Sequence, residues 1–366
     1  MKKSYRCWAE IDRRALRHNA AVARRLLPPN VALLAVIKAN AYGHGLATVA
    51  HTLEDEADLF GVANLEEAIE ARKAVSHPVI ILGPALPEER AEIASRGFIP
   101  SISSFDEAQS YAGAAGDSSV AINFKIDTGM GRMGVLERDA LEVLQKISAL
   151  PHLELHSIST HLPAADEDEV FTAAQLERFR ELVARLRREI PGRYKVHASP
   201  SAGLIAFEQS GFDIVRAGLI LYGASPIPAF QEQLRPVMTL KSHVVLIREL
   251  PAGSSISYGR TFTTSRPTRV ATLSIGYADG FRRSVSNRGA AVLIRGRRCP
   301  VLGRVTMDLT MVDVTELPKV EIGDEVVLFG KQGNEQILAG ELAKQAGTIP
   351  WEIFTGIGTR VARVYL

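Results

Sequence analysis

Lys38 closes the apolar run VALLAVIK, Tyr42 follows four residues later, and Gly43 and Gly45 come directly after. A lysine at the end of an apolar strand has two uses. In water it confers solubility. Desolvated or set beside other cations its pKa falls, and the free amine can form a Schiff base with an aldehyde cofactor or act as a base. The glycines let backbone approach an anion closely, and a tyrosine hydroxyl can donate to the same group. Other reactive groups stand at comparable places: Lys125 and Asp127 near the end of VAINFKID, His161 after LELHSIST, Ser199 and Ser201 after YKVHAS, and Arg216 inside DIVRAG. An arginine within an apolar strand is either half of a salt bridge or a permanent cation kept for a ligand.

Positioning these residues requires a frame that gathers strand ends. Eight short apolar runs begin near Val31, Asp58, Pro78, Gly97, Val120, Leu153, Tyr194 and Asp213, with helix-like stretches between most of them. Alternation of this kind specifies parallel strands with crossover helices. Asn64 is a helix-cap candidate, and TAAQLERFRELVARLRREI carries apolar residues at three- and four-residue intervals up to Pro191. Eight repeats favour an α/β fold in which a (β/α)8 TIM-type barrel closes over residues 1–235, with an open doubly wound sheet as the alternative. A closed barrel places chemistry at the carboxyl ends of its strands. From Pro236 to the end, β-rich runs are separated by Gly, Pro and Asp turns, and only QILAGELAKQAG reads as helix. Residues 236–366 are therefore expected to form a second, mostly β domain.

Composition narrows the function classes. The chain has 43 basic and 41 acidic side chains, which gives no global charge for a nucleic-acid partner. No apolar run is of membrane length, and charges interrupt the N-terminal segment where a secretory core would lie. Cys7 and Cys299 lie far apart without metal-like neighbours, so no metal is expected and a reducing, cytoplasmic setting fits.

Taken in order, AVIKANAYGHG, KIDTGMGRMG, STHL, VRAGLILYG, SYGRTF, IGYADG and LGRVTMDLTMVDV resemble the alanine racemase family over essentially the whole chain. The resemblance implies interconversion of L-alanine and D-alanine by two-base α-proton transfer through a pyridoxal 5'-phosphate Schiff base, supplying D-alanine for peptidoglycan. It implies that Lys38 is the cofactor-linked lysine and one base, and that Tyr258, from the partner subunit, is the opposing base. Arg216 would face the pyridine nitrogen, keeping it unprotonated, and His161 would sit against the ring or its oxygens. Tyr42, Ser201, Gly218 and Leu219 would form the phosphate cradle. Arg132 would hold the phenol side of the cofactor and organise Tyr258, while Tyr277 and Met307 of the partner would contact substrate at the entrance. Lys125 matches a lysine that is carbamylated in some relatives. A head-to-tail homodimer with shared active sites follows from the same resemblance.

Three positions depart from the family pattern. Pro200 replaces an asparagine and brings no donor. Trp351 stands where a phosphate-reaching tyrosine is usual, and Thr306 takes a position that is often cysteine. These changes bear on the substrate more than on the reaction, so a broader racemase acting also on serine or other small amino acids is an alternative. A decarboxylase on a related barrel and a non-catalytic pyridoxal-phosphate-binding protein are further alternatives.

Overall fold

The computed structural model describes residues 5–209 and 211–366. Two compact units result: Leu16–Ala41 with Gly45–Arg235, and Met1–Ala15 with Tyr42–His44 and Pro236–Leu366.

In the first unit the eight apolar runs form eight parallel strands: Ala32–Val36, Leu59–Val62, Val79–Ile81, Ile99–Ile102, Val120–Asp127, Leu153–Ser159, Lys195–His197 and Ile214–Ala217. Through the seventh, each pairs with its successor, and the eighth returns to the first, with Ile214 opposite Ala32. The seventh and eighth are joined by Asp213 N–H donating to Val196 O at 2.8 Å and Arg216 N–H donating to Ser199 O at 3.0 Å. The ring is thereby closed, and no strand edge is left for an open sheet. Several strands, such as Leu59–Val62, Val79–Ile81 and Ile214–Ala217, are buried along their whole length, as expected for a parallel sheet covered outside by helices.

Caps fix where the covering helices begin. Asn64 Oδ1 accepts Glu67 N–H at 3.0 Å to start Leu65–Ala74. Asp168 Oδ1 accepts Phe171 N–H at 2.9 Å, so the long helix runs Glu169–Glu189 and begins before the TAAQ read from the sequence. The short seventh connection is the single helix Ser201–Ala206.

The second unit is mostly β. Its 13-residue strand Met238–Leu250 pairs antiparallel with Cys7–Ile11, Thr268–Leu273 and Glu325–Gln332. Cys7–Ile11 also pairs parallel to Ala362–Tyr365. The described residues before Leu16 thus group with the β unit, whereas the expected division placed the barrel over 1–235. The physical reason is local: Cys7–Ile11 alternates buried and half-buried side chains, which suits one face of an open sheet. A ring of eight strands offers such a strand no edge. The expected helix lies at Ala339–Ala346, and a second short one, Pro350–Thr355, carries Trp351. Both cysteines are free and buried.

Candidate active site

In the barrel unit, Lys38 begins a turn of left-handed sense. Ala39, Asn40 and Ala41, followed by Tyr42, all have φ of 52–53°. Such a conformation costs L residues about 1–2 kcal/mol each, so it persists only where surrounding bonds dictate it. Ala41 N–H donates to Ile37 O at 2.8 Å, and Gly45 N–H to Asn40 O at 3.0 Å. Asn40 Oδ1 accepts Leu46 N–H at 2.8 Å. Glu67 bridges two backbone groups, accepting Asn40 N–H at 2.9 Å and Ala63 N–H at 2.9 Å. Lys38 is thus set at the strand end by a turn that the barrel's own loops brace.

Its electrostatic surroundings favour a neutral amine. Burial, then the charges of Arg132 and Arg216, lower the Lys38 pKa, with Glu67 opposing them. Lys125 lies in the fifth strand and is driven well below the ordinary lysine value by burial, then by Arg216 and Arg132. A cleft is lined by Lys125, Asp127, Arg132, Thr160 and His161. Burial pushes Asp127 upward, but backbone N–H groups of Gly129, Gly131, Met130 and Arg132 outweigh it and hold the carboxylate below its usual range. Asp127 thereby folds the glycine-rich loop that carries Arg132.

Arg216 is the hub. Its Nη1 donates to His197 Nδ1 at 2.6 Å, and its Nη2 to His161 Nδ1 at 3.0 Å, to Thr160 O at 2.9 Å and to Ala198 O at 2.6 Å. Burial, then Arg132, lowers its pKa to about 9, which leaves it a cation at neutral pH. Burial, then Arg216, lowers His161 to about 2 and His197 well below the imidazole range, so both rings are neutral acceptors. The salt-bridge reading of Arg216 fails: among the described residues, none of Lys38, Lys125, Arg132 and Arg216 pairs with a carboxylate. Arg132 and Arg216, with no carboxylate in a salt bridge to either among the described residues, favour an anionic ligand.

Two short helices begin beside this cluster. Ser201 opens Ser201–Ala206, and Gly218 precedes the 3-10 turn Leu219–Tyr222; Gly218 N–H donates to Ser201 Oγ at 2.9 Å and ties the two starts together. Ser199 Oγ is buried with no partner. Pro200 is the cap residue of the first helix, a position where its carbonyl is what matters: it accepts Leu204 N–H at 2.9 Å. The missing proline N–H is one that a helix start leaves unused in any case.

The β unit carries the other expected residues. Tyr258, Tyr277 and Met307 are exposed at 68%, 41% and 53%. Tyr258 sits in a turn where Ser257, Gly259 and Arg260 all have positive φ, braced by Ser257 Oγ donating to Arg304 O at 2.6 Å. Tyr277 N–H and Ala278 N–H donate to Thr306 O and Met307 O, both at 3.0 Å, so the two loops are zipped together. Thr306 earns its place by closing the second loop: its hydroxyl donates to Leu309 O at 2.8 Å and accepts Leu309 N–H at 3.1 Å. Arg360 spans both loops, reaching Asp279 at 2.6 Å and Asp308 at 2.7 Å. In the same unit the Trp351 indole donates to the Tyr42 phenol oxygen, while burial raises Tyr42 to about 12.

Sequence reasoning missed His197, Asn123, Glu67 and Arg360. His197 and Asn123 occupy apolar-looking strands, and the available signal was a polar side chain at an inward position of a barrel strand. Glu67 carried a signal three residues beyond its cap, and Arg360 carried none.

Comparison with known proteins bears on the whole chain. A family model described as alanine racemase, N-terminal domain, matches residues 11–226, and one described as alanine racemase, C-terminal domain, matches 237–365. An alanine racemase of Methylacidiphilum infernorum is 43% identical over 364 residues, covering 98% of this chain and 92% of that protein. The solved alanine racemase of Clostridium difficile superposes with a TM-score of 0.92 at 34% identity, covering 100% of this chain and 97% of the other. That of Bartonella henselae, solved with covalently bound pyridoxal phosphate, gives a TM-score of 0.88 at 29% identity, covering 99% of this chain and 100% of the other.

Proposed function

The chain belongs to the alanine racemase family, and on that premise we propose that it interconverts L-alanine and D-alanine with pyridoxal 5'-phosphate held at the barrel mouth. The observation that carries this reading is the Arg216 hub beside Lys38: a cation with imidazole acceptors on its Nη groups, next to an amine whose proton affinity burial and the charges of Arg132 and Arg216 lower. The residues present fit the cofactor. The charges of Arg132 and Arg216 suit its negative charge, the buried Ser199 hydroxyl lacks a partner, and the helix starts at Ser201 and Leu219 offer backbone N–H groups of the kind that bind phosphate. Ser201, Gly218, Leu219 and Tyr42 would hold the phosphate, with Trp351 acting on it through Tyr42. His161 and Arg132 would flank the ring.

When bound, the cofactor supplies an aldehyde for covalent linkage and a conjugated ring that takes up charge from the substrate α-carbon. Lys38 provides the linking amine, which must be neutral to attack, and burial together with Arg132 favours that state. Lys38 Nζ would hold or deliver the α-proton on one face of the substrate. Arg216, still a cation at neutral pH, would stand at the pyridine nitrogen without a proton to surrender, so the bound ring would be a weak electron sink suited to simple proton exchange. Tyr258 Oη takes the opposite face, because inversion needs a proton removed from one side and delivered to the other. Lys125, neutral by burial, can react with carbon dioxide to give a carbamate, an anion suited to its neighbours Arg132 and Arg216.

The exposed Tyr258, Tyr277 and Met307 support a head-to-tail homodimer in which each β unit completes the partner's site. Trp351 and Pro200 favour a test of substrate breadth as well, since the pocket lacks a hydroxyl usual in the family. The reading is tested by Tyr258→Phe: incubation of L-alanine in deuterated water should show enantiomer formation reduced about 10²-fold or more, the usual scale for losing a positioned base. Unchanged racemisation would remove Tyr258 from the proposed role.

A further inference from the structure

Arg216 is one end of a hydrogen-bond chain that crosses the barrel interior. Its Nη1 donates to His197 Nδ1 at 2.6 Å, and His197 Nε2 lies 3.1 Å from Asn123 Oδ1. Asn123 Nδ2 donates to Ser101 Oγ at 2.9 Å, and Ser101 Oγ donates to Ile81 O at 2.7 Å. Asn123, His197 and Ser101 are at most 2% exposed, so water does not compete for any of these bonds. We propose that Asn123 and Ser101 are positioning residues that lock His197 in the Nε2–H tautomer and thereby hold the Arg216 guanidinium in its working orientation.

The argument is one of direction. A guanidinium has only donors, and a backbone carbonyl has only acceptors. With Arg216 at one end and Ile81 O at the other, each link between them can point only one way. Ser101 commits its single proton to Ile81 O and so must accept from Asn123. The Asn123 amide must therefore turn its NH2 toward Ser101 and its oxygen toward His197. His197 then carries its proton on Nε2 and offers the Nδ1 lone pair to Arg216. The opposite tautomer would set an N–H against another N–H at 2.6 Å, and Arg216 would have to swing away. All four bonds share one polarity, and bonds aligned in this manner strengthen one another in a buried medium. Burial also keeps His197 from acquiring a second proton.

Ser157 supplies an internal control. Its hydroxyl donates to the same Asn123 oxygen at 3.0 Å, is equally buried and also contacts His156 Nδ1 at 3.1 Å; with no carbonyl committing its proton, it could accept from a turned amide as readily as it donates now, so it dictates the orientation less than Ser101 does. Ser101→Ala and Ser157→Ala remove the same atom from the same neighbourhood. A merely structural role predicts equal effects from the two.

The proposal rests on the racemase reading only for the task Arg216 performs, and the tautomer can be measured independently of that task. Nitrogen-15 spectra of histidine-labelled holoenzyme read it directly. The expected result is a single Nε2–H signal set for His197 in the wild type and in Ser157→Ala. Ser101→Ala should show a second tautomer and a kcat/KM for alanine about tenfold lower, the scale of one buried hydrogen bond. Retention of one tautomer and full kcat/KM in Ser101→Ala, or identical behaviour of the two variants, would overturn it. A wild-type enzyme that shows the locked tautomer without racemising alanine would instead count against the proposed function and leave the lock standing.

Discussion

Lys38, His161, His197 and Arg216 can share one site because the proton affinity of the first three is lowered there. Burial is the first cause in each of these cases, and the neighbouring cations reinforce it. The same burial has a cost in acid. In the unfolded chain a histidine takes up its proton near pH 6.5, whereas His156 does so in the folded protein only near 4 and His161 only near 2. Between those values the unfolded state binds more protons, so stability falls as the pH drops. The denaturation midpoint should therefore decline from pH 6.5 toward 4, and His156→Gln should make that decline shallower; an unchanged slope would remove His156 from the account. At this scale Lys38, Arg216 and Tyr258 were legible because their types conflict with their surroundings or recur in a family motif. His197 and Asn123 were not, because a single polar residue within an apolar strand does not show in sequence whether it has found a partner.

Turns and loops, more than strands, decide where the reactive atoms stand. The left-handed turn after Lys38 is held by Glu67 and Asn40, and the loops bearing Tyr277 and Met307 are held by Arg360 across Asp279 and Asp308. Asp279 is buried, and its other oxygen accepts Gly276 N–H at 2.9 Å, so this carboxylate anchors the first loop directly. Arg360→Ala should loosen both loops while leaving the barrel residues in place. We expect KM for alanine to rise about three- to tenfold with a smaller change in kcat, measured by initial rates; an equal loss in kcat with KM unchanged would point to a role other than positioning the entrance. Strand periodicity made all eight barrel strands readable, since parallel strands buried on both faces leave long apolar runs. The five-residue strand at Cys7–Ile11 escaped that reading. Its partner strand begins more than two hundred residues later, and only that pairing shows which sheet it joins.

On the proposed reading, the two units would supply different halves of the chemistry. The barrel holds Lys38 and Arg216, and the β unit presents Tyr258, Tyr277 and Met307 on its surface. If those surface residues complete a second copy's site, chains carrying Lys38→Ala and Tyr258→Phe should restore activity when mixed and allowed to exchange subunits. At most one of the two sites in a mixed dimer is intact, so half of the wild-type rate per dimer is the ceiling. Exchange without recovery would contradict the shared site. The most direct test of the whole account is enantiomer formation from L-alanine and L-serine by the pyridoxal-phosphate-loaded protein, separated by chiral chromatography over a range of concentrations. The account predicts D-alanine as the main product, with serine turned over less efficiently. Release of carbon dioxide in excess of enantiomer, or cofactor binding at Lys38 with no exchange of the α-proton of either amino acid, would contradict it.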